Sequence, residues 1–241
     1  MHGDLTEKPG ARVDLALTLP IFLIYQFGVI FLHVHNASDV VTSALFHLSE
    51  GNKGVYLLLT AAIGVVFAGI FAWLGRGQAF RLRKFLQIAC EGIVYAIVMR
   101  IGGAYVVGRL FAGQIEGDDR FAGLIMSMGA CFYEELAFRA LLFGLGAKAL
   151  VWIFAGQRIP MVSGKSRFSL RALVIFLVWG VAAAAIFSGV HYTGALGDPF
   201  TFSSFAFRMV LGIALTLIYV LRGFAAAVWA HAVYDVWVLV L

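Results

Sequence analysis

Seven stretches of about twenty mostly apolar residues, at roughly 13–34, 54–74, 85–111, 121–150, 169–191, 201–221 and 224–241, constrain this chain more than any other feature. About 20 such residues cross the hydrocarbon core of a bilayer as one helix. Only helices and closed barrels satisfy every backbone hydrogen bond there. Composition points the same way, with 62% hydrophobic and 13% charged residues and a mean hydropathy of +0.93. Soluble domains run near 45–50% and about 25%. The expected fold is all-α: a polytopic integral membrane bundle of about seven transmembrane helices. The long fourth stretch leaves room for an eighth, short element. No Pro/Gly/Ser-rich linker divides residues 1–241, so one membrane domain is expected. The first stretch exceeds the apolar core of a signal peptide and further spans follow it, so cleavage is not expected.

Charge is confined largely to the connections. Lys8, Arg12, Arg76, Arg81, Arg83, Lys84, Arg158, Lys165, Arg167, Arg171 and Arg222 fall on one set of loops. The opposite set carries only Lys53 and Arg120, among Asp39, Glu50, Glu116, Asp118, Asp119 and Asp198. The positive-inside rule then puts the N-terminus in the cytoplasm and the C-terminus outside. The membrane in question reads as a bacterial inner (cytoplasmic) membrane. Because topology accounts for the net charge of +5, no nucleic-acid partner is expected. Cys90 and Cys131 both lie in apolar stretches and offer no disulfide framework.

Against this background six ionisable residues stand out, because a charge inside a bilayer is costly and marks function by default. They form EExxxR in Glu134–Glu135–Leu136–Ala137–Phe138–Arg139, FxxxH from Phe187 to His191, and HxxxD from His231 to Asp235. Glu135 and Arg139, four apart with the acid first, are set to pair along one helix face. Glu134 is rotated by roughly 100° and is left to act on a water as a general base. His231 and Asp235 share a face in the same way. Two roles are open to them. They can join His191 and Glu134 around a divalent metal such as zinc. Alternatively His231 donates to a developing oxyanion while Asp235 sets its orientation. Phe187 packs on His191 from one turn away. Glu91 and Arg100, nine apart, face opposite ways and each looks to another helix for a partner.

Taken in order, EExxxR, FxxxH and HxxxN/D resemble the CPBP family of intramembrane endopeptidases, which holds CAAX-prenyl proteases and bacteriocin-processing enzymes. The likeness covers a core at 121–241, with 1–120 as accessory spans that add no motif. It implies hydrolysis of a peptide bond in a membrane-associated protein or peptide tail. On the matching positions Glu134 would be the base, assisted by His191. His231 and Asp235 would stabilise the oxyanion, with Glu135, Arg139 and Phe187 in support. The resemblance leaves open a metal or a metal-free glutamate mechanism. Asp235 departs from the asparagine of the prenyl-protein proteases, which favours either metal binding or an imidazolium at His231.

Other protease classes lack their motifs: the chain contains no HExxH, GxGD or GxSG. Two further functions compete, a catalytically silent scaffold or immunity protein of the same fold and a proton- or metal-coupled transporter. A transporter of the inverted-repeat kind would show paired broken spans, and none is seen. Nothing in the chain names the cut site, and a monomer is the default expectation.

Overall fold

The computed structural model describes residues 7–32, 40–107, 124, 128–129, 131–159, 168–193 and 197–239. Among these the chain is all-helical. The helices are α1 (Ala11–Leu32), α2 (Val40–Ser49), α3 (Lys53–Leu74) and α4 (Leu82–Val107), then α5 (Cys131–Ala155). They are followed by α6 (Leu170–Val190), α7 (Phe202–Arg222) and α8 (Phe224–Leu239). Six are long and apolar enough to cross a membrane, α4 doing so over Leu82–Gly103. The chain is a polytopic helical membrane protein.

The first six apolar stretches become those six helices. The seventh becomes α8, described over Phe224–Leu239. It is also central to the bundle. α8 packs most extensively on α4 and also meets α1, α5 and α7. Ala225, Ala226, Ala227, Val228 and Ala230 are all fully buried, as expected of a helix that is apolar on every side. Small side chains let the neighbours come close. At Gly92 on α4, an added Cβ would lie 3.0 Å from the Cβ of Trp229. The short extra element is α2, between α1 and α3. The opening residues of the fourth stretch and the acidic loop before it fall largely outside the described residues.

Local chemistry fixes where α8 begins. Gly223 takes φ +96°, a left-handed turn that glycine adopts without a Cβ penalty, so α7 and α8 follow each other almost directly. Asp14 of α1 then caps α8 from across the bundle, its Oδ1 accepting the Ala225 N–H at 3.1 Å. Trp229 Nε1 donates to the Leu17 carbonyl at 3.1 Å. Both bonds tie the motif-bearing half of the chain to α1.

Candidate active site

α5 changes its winding at the motif. From Glu135 to Leu145 it is a π-helix of 11 residues, and it returns to α-helix over Gly146–Ala155. π-turns are rare and recur at functional sites. Here the wide turn presents Glu135, Arg139 and Phe143 to the interior as one buried face. Trp179 of α6 helps hold it, donating from Nε1 to the Leu142 carbonyl at 3.0 Å. Gly146 makes room for that indole, since a Cβ there would meet Trp179 Nε1 at 2.6 Å.

α5, α6 and α8 bring the three motifs together. Glu134 is only 3% exposed and lies between two imidazoles. Its Oε1 is 3.8 Å from His191 Nε2, and its Oε2 is 3.9 Å from His231 Nε2. Each ring is held by its other nitrogen. His191 Nδ1 donates to the Phe187 carbonyl at 2.8 Å, and His231 Nδ1 lies 2.8 Å from Glu135 Oε1. Asp235 Oδ2 stands 3.4 Å from His231 Nε2. Both Nε2 edges therefore face the Glu134 carboxylate across gaps wider than a hydrogen bond, a separation at which a bridging water is the natural question.

Glu135 and Arg139 form the expected pair, fully buried, with Nη1 to Oε1 at 3.0 Å. The contact is coulombic, because the N–H bonds are not aimed along it. Both Nη atoms and Glu135 Oε2 lack a hydrogen-bond partner among the described residues. The guanidinium lies 4.1 Å from the Phe187 ring centroid, a cation–π distance. Phe187 also packs edge-on to His191 and His231, with centroids 5.1 and 6.4 Å away. Gly212 of α7 gives it space, as a Cβ there would meet its Cδ1 at 2.9 Å.

Spacing offers Asp235 either as the residue that orients His231 or as a metal ligand beside it, and Asp235 does stand by the ring. The shorter contact comes instead from Glu135 of α5, a partner that position on α8 cannot reveal. Glu91 and Arg100 do look to other helices. Glu91 binds Arg222 of α7 through two bonds of 2.7 and 2.8 Å. Arg100 lies over the Trp237 ring at 5.3 Å. Glu134, His191, His231 and Asp235, weighed as zinc ligands, adjoin one another, but among the described residues no group of three or more His, Cys, Asp or Glu is gathered so as to hold a metal ion.

Residues 118–237, about half of the chain, match the family described as Type II CAAX prenyl endopeptidase Rce1-like. All three motifs lie within the match. The chain belongs to this family of CPBP intramembrane endopeptidases. No curated protein and no solved structure matches it. The Rce1-like region spans α5 to α8 and with them every residue of the Glu134 cluster.

Proposed function

We propose that the chain is an intramembrane endopeptidase that cuts a membrane-anchored protein or peptide tail with a water activated by Glu134. The observation that carries this reading is the placement of the Glu134 carboxylate between two Nε2 atoms whose rings are fixed from behind. In the proposed reaction Glu134 takes a proton from the water, with His191 positioning that water through Nε2. The water oxygen bonds to the scissile carbonyl carbon, and the carbonyl oxygen becomes an oxyanion. Glu135 at Nδ1 and Asp235 near Nε2 hold the His231 ring from both sides. Its Nε2–H donates to the oxyanion, and such a donor contributes about 10²–10³ in rate. The C–N bond then breaks as the proton held by Glu134 passes to the leaving nitrogen. Arg139 offsets the charge of Glu135, and Phe187 holds the guanidinium and both rings in place. Every step uses water alone. Zinc held by Glu134, His191, His231 and Asp235 is the competing arrangement, and metal analysis of active protein decides between them.

The reading extends to placement. Loop charge orients the N-terminus inward and the C-terminus outward, in a bacterial inner membrane. His191 ends α6 on the outer side, so the site opens outward. A cysteine at exposed Phe200, with Cys90 and Cys131 replaced, should react with an impermeant thiol reagent on intact cells. Labelling only after lysis would reverse the orientation.

For activity, purified protein in lipid is given an S-prenylated peptide carrying three residues beyond the modified cysteine. Glu134→Gln should lose cleavage while keeping its thermal unfolding profile. Cleavage retained in that variant would remove Glu134 as the base. A folded wild type that cleaves no anchored peptide would favour the scaffold, and peptide flux into sealed vesicles without cleavage the transporter.

A further inference from the structure

His191 differs from His231 in how it is held. His231 stands within α8 with its side chain 7% exposed. His191 is the C-cap of α6, and its side chain is 20% exposed. Backbone at a helix end lacks intrahelical partners, so the place of this ring depends on the chain that follows. Within α6 the Phe187 carbonyl and ring secure it.

Beyond α6, the contacts that hold the chain converge on Arg208, in the second turn of α7. Its guanidinium pairs with Asp198 and donates from Nη1 to Ser204 Oγ at 3.0 Å. It also lies 5.2 Å from the Tyr192 ring centroid, a cation–π distance. Asp198 and Tyr192 both lead back to His191. The Asp198 N–H donates to the His191 carbonyl at 2.9 Å. Tyr192 follows His191 directly, and its hydroxyl donates to the same Ser204 Oγ at 2.8 Å. One planar cation thus grips the residue next to His191 and the residue bonded to its carbonyl.

Stability does not explain this arrangement. The side chains of Arg208 and Asp198 are 25% and 54% exposed, and ion pairs open to water add little to folding. A separate bond already ties the last turn of α6 to the first turn of α7, from Ser188 Oγ to the Phe205 carbonyl at 2.8 Å. An arginine fork is suited instead to fixing geometry, because its plane holds a carboxylate, a hydroxyl and a ring face together. A lysine ammonium has no such plane.

We propose that Arg208 is a positioning residue for His191. By fixing Tyr192 and Asp198 it fixes the backbone on which the imidazole stands. With that backbone goes the Nε2 edge that faces Glu134 at 3.8 Å. The inference rests on the endopeptidase reading. Arg208 acts through His191 and does not touch the substrate, and a misplacement of about 1 Å is enough to cost about 10²-fold in rate.

The test uses full-length protein in phosphatidylcholine nanodiscs and the S-prenylated peptide. Arg208→Gln should lower kcat by about 10–100-fold with KM unchanged, and Arg208→Lys should restore little. In a His191→Gln background the same substitution should have no further effect, because both act through one group. NMR of nitrogen-labelled histidine reads the ring without turnover, the His191 signals being those lost in His191→Gln. Wild type should show one tautomer, protonated on Nδ1 and bonded to Phe187, and Arg208→Gln should show exchange between tautomers. If wild type cleaves nothing, the endopeptidase reading fails while the ring signals still judge Arg208. An unchanged His191 spectrum in Arg208→Gln overturns the proposal. So does a rise in KM alone, which marks a substrate contact. A loss that multiplies with that of His191→Gln marks a structural arginine and also overturns it. If Arg208→Gln does not fold, Asp198→Asn keeps the backbone bond and weakens the grip; it should give the same spectral change in smaller degree, and no change overturns the proposal.

Discussion

Two buried charge clusters in this chain use the same residue types to opposite ends. At the basic end of the bundle, Glu91 and Arg222 are saturated. Two bonds of 2.7 and 2.8 Å join them, Gln87 donates to Glu91 at 2.6 Å, and Tyr95 adds a contact at 3.3 Å. Around Glu134 the separations to the histidines are 3.8 and 3.9 Å, and three polar atoms of Glu135 and Arg139 lack hydrogen bonds among the described residues. A saturated pair locks α4 to α7 and has no capacity for a substrate. The loose cluster, held at its margins by Phe187, Glu135 and Arg139, retains donors and acceptors for a reacting group. Chemistry depends less on the presence of buried charge than on how much of it is already satisfied.

The largest expected effect separates the two clusters outright. Glu134→Gln should lower kcat by about 10²–10⁴, the range typical of a positioned general base, and leave stability near wild type. Glu91→Gln should do the reverse. It removes a charge-assisted contact of about 1.5–3 kcal/mol, lowering the unfolding temperature while folded protein still cleaves. Kinetics and thermal unfolding measured on both variants would dissolve the contrast if either changed the quantity assigned to the other.

Arg139→Met attacks the margin of the loose cluster. It leaves Glu135 buried without its cation, and breaking such a pair typically costs about 3–5 kcal/mol. Its effect on rate should be smaller than that of Glu134→Gln, because Arg139 acts through Glu135. Adding Glu135→Gln removes the stranded charge and should restore much of the stability. A double variant as unstable as the sum of the singles would mean that the two residues are independent, and that the guanidinium is held mainly by Phe187.

How much of this was legible in the sequence follows from what each signal measures. Ionisable residues in apolar stretches advertise themselves, so Glu134, Glu135, Arg139, His191, His231 and Asp235 could be named from composition alone, and the order of their motifs carried the family. Spacing, however, sees one helix at a time. It joins His231 to Asp235 four residues on, yet the 2.8 Å contact comes from Glu135, 96 positions away. Likewise Glu91 meets Arg222 at a separation of 131. Hydropathy has a matching blindness, because it marks α8 as apolar without showing that this helix is the centre of the bundle. Its run of alanines was the available sign, since lipid-facing positions have no need of small side chains. The π-winding of α5 left no mark in the sequence that periodicity could detect.

The smallest expected effect concerns the accessory helices, where the motif search found nothing. Gln26 of α1 is 2% exposed. Its Nε2 donates to the Tyr133 hydroxyl at 2.6 Å, and its Oε1 accepts from Tyr56 at 2.6 Å and from Thr60 at 3.4 Å. Tyr133 immediately precedes Glu134, so α1 and α3 reach the base through one amide. The same Gln26 and Thr60 line an apolar cavity of about 360 Å³ between those helices. Gln26→Leu would remove these hydrogen bonds at a cost of about 1–3 kcal/mol, and the rate should fall only a few-fold. Tyr133→Phe keeps the bonds from Tyr56 and Thr60 to Gln26 and removes only the link to the residue before Glu134, so it should recover stability better than rate if the amide positions Glu134. Equal recovery of both would confine the accessory half to holding the bundle together. Recovery of stability alone would make the saturated network of the first half a positioning device for the unsaturated site of the second.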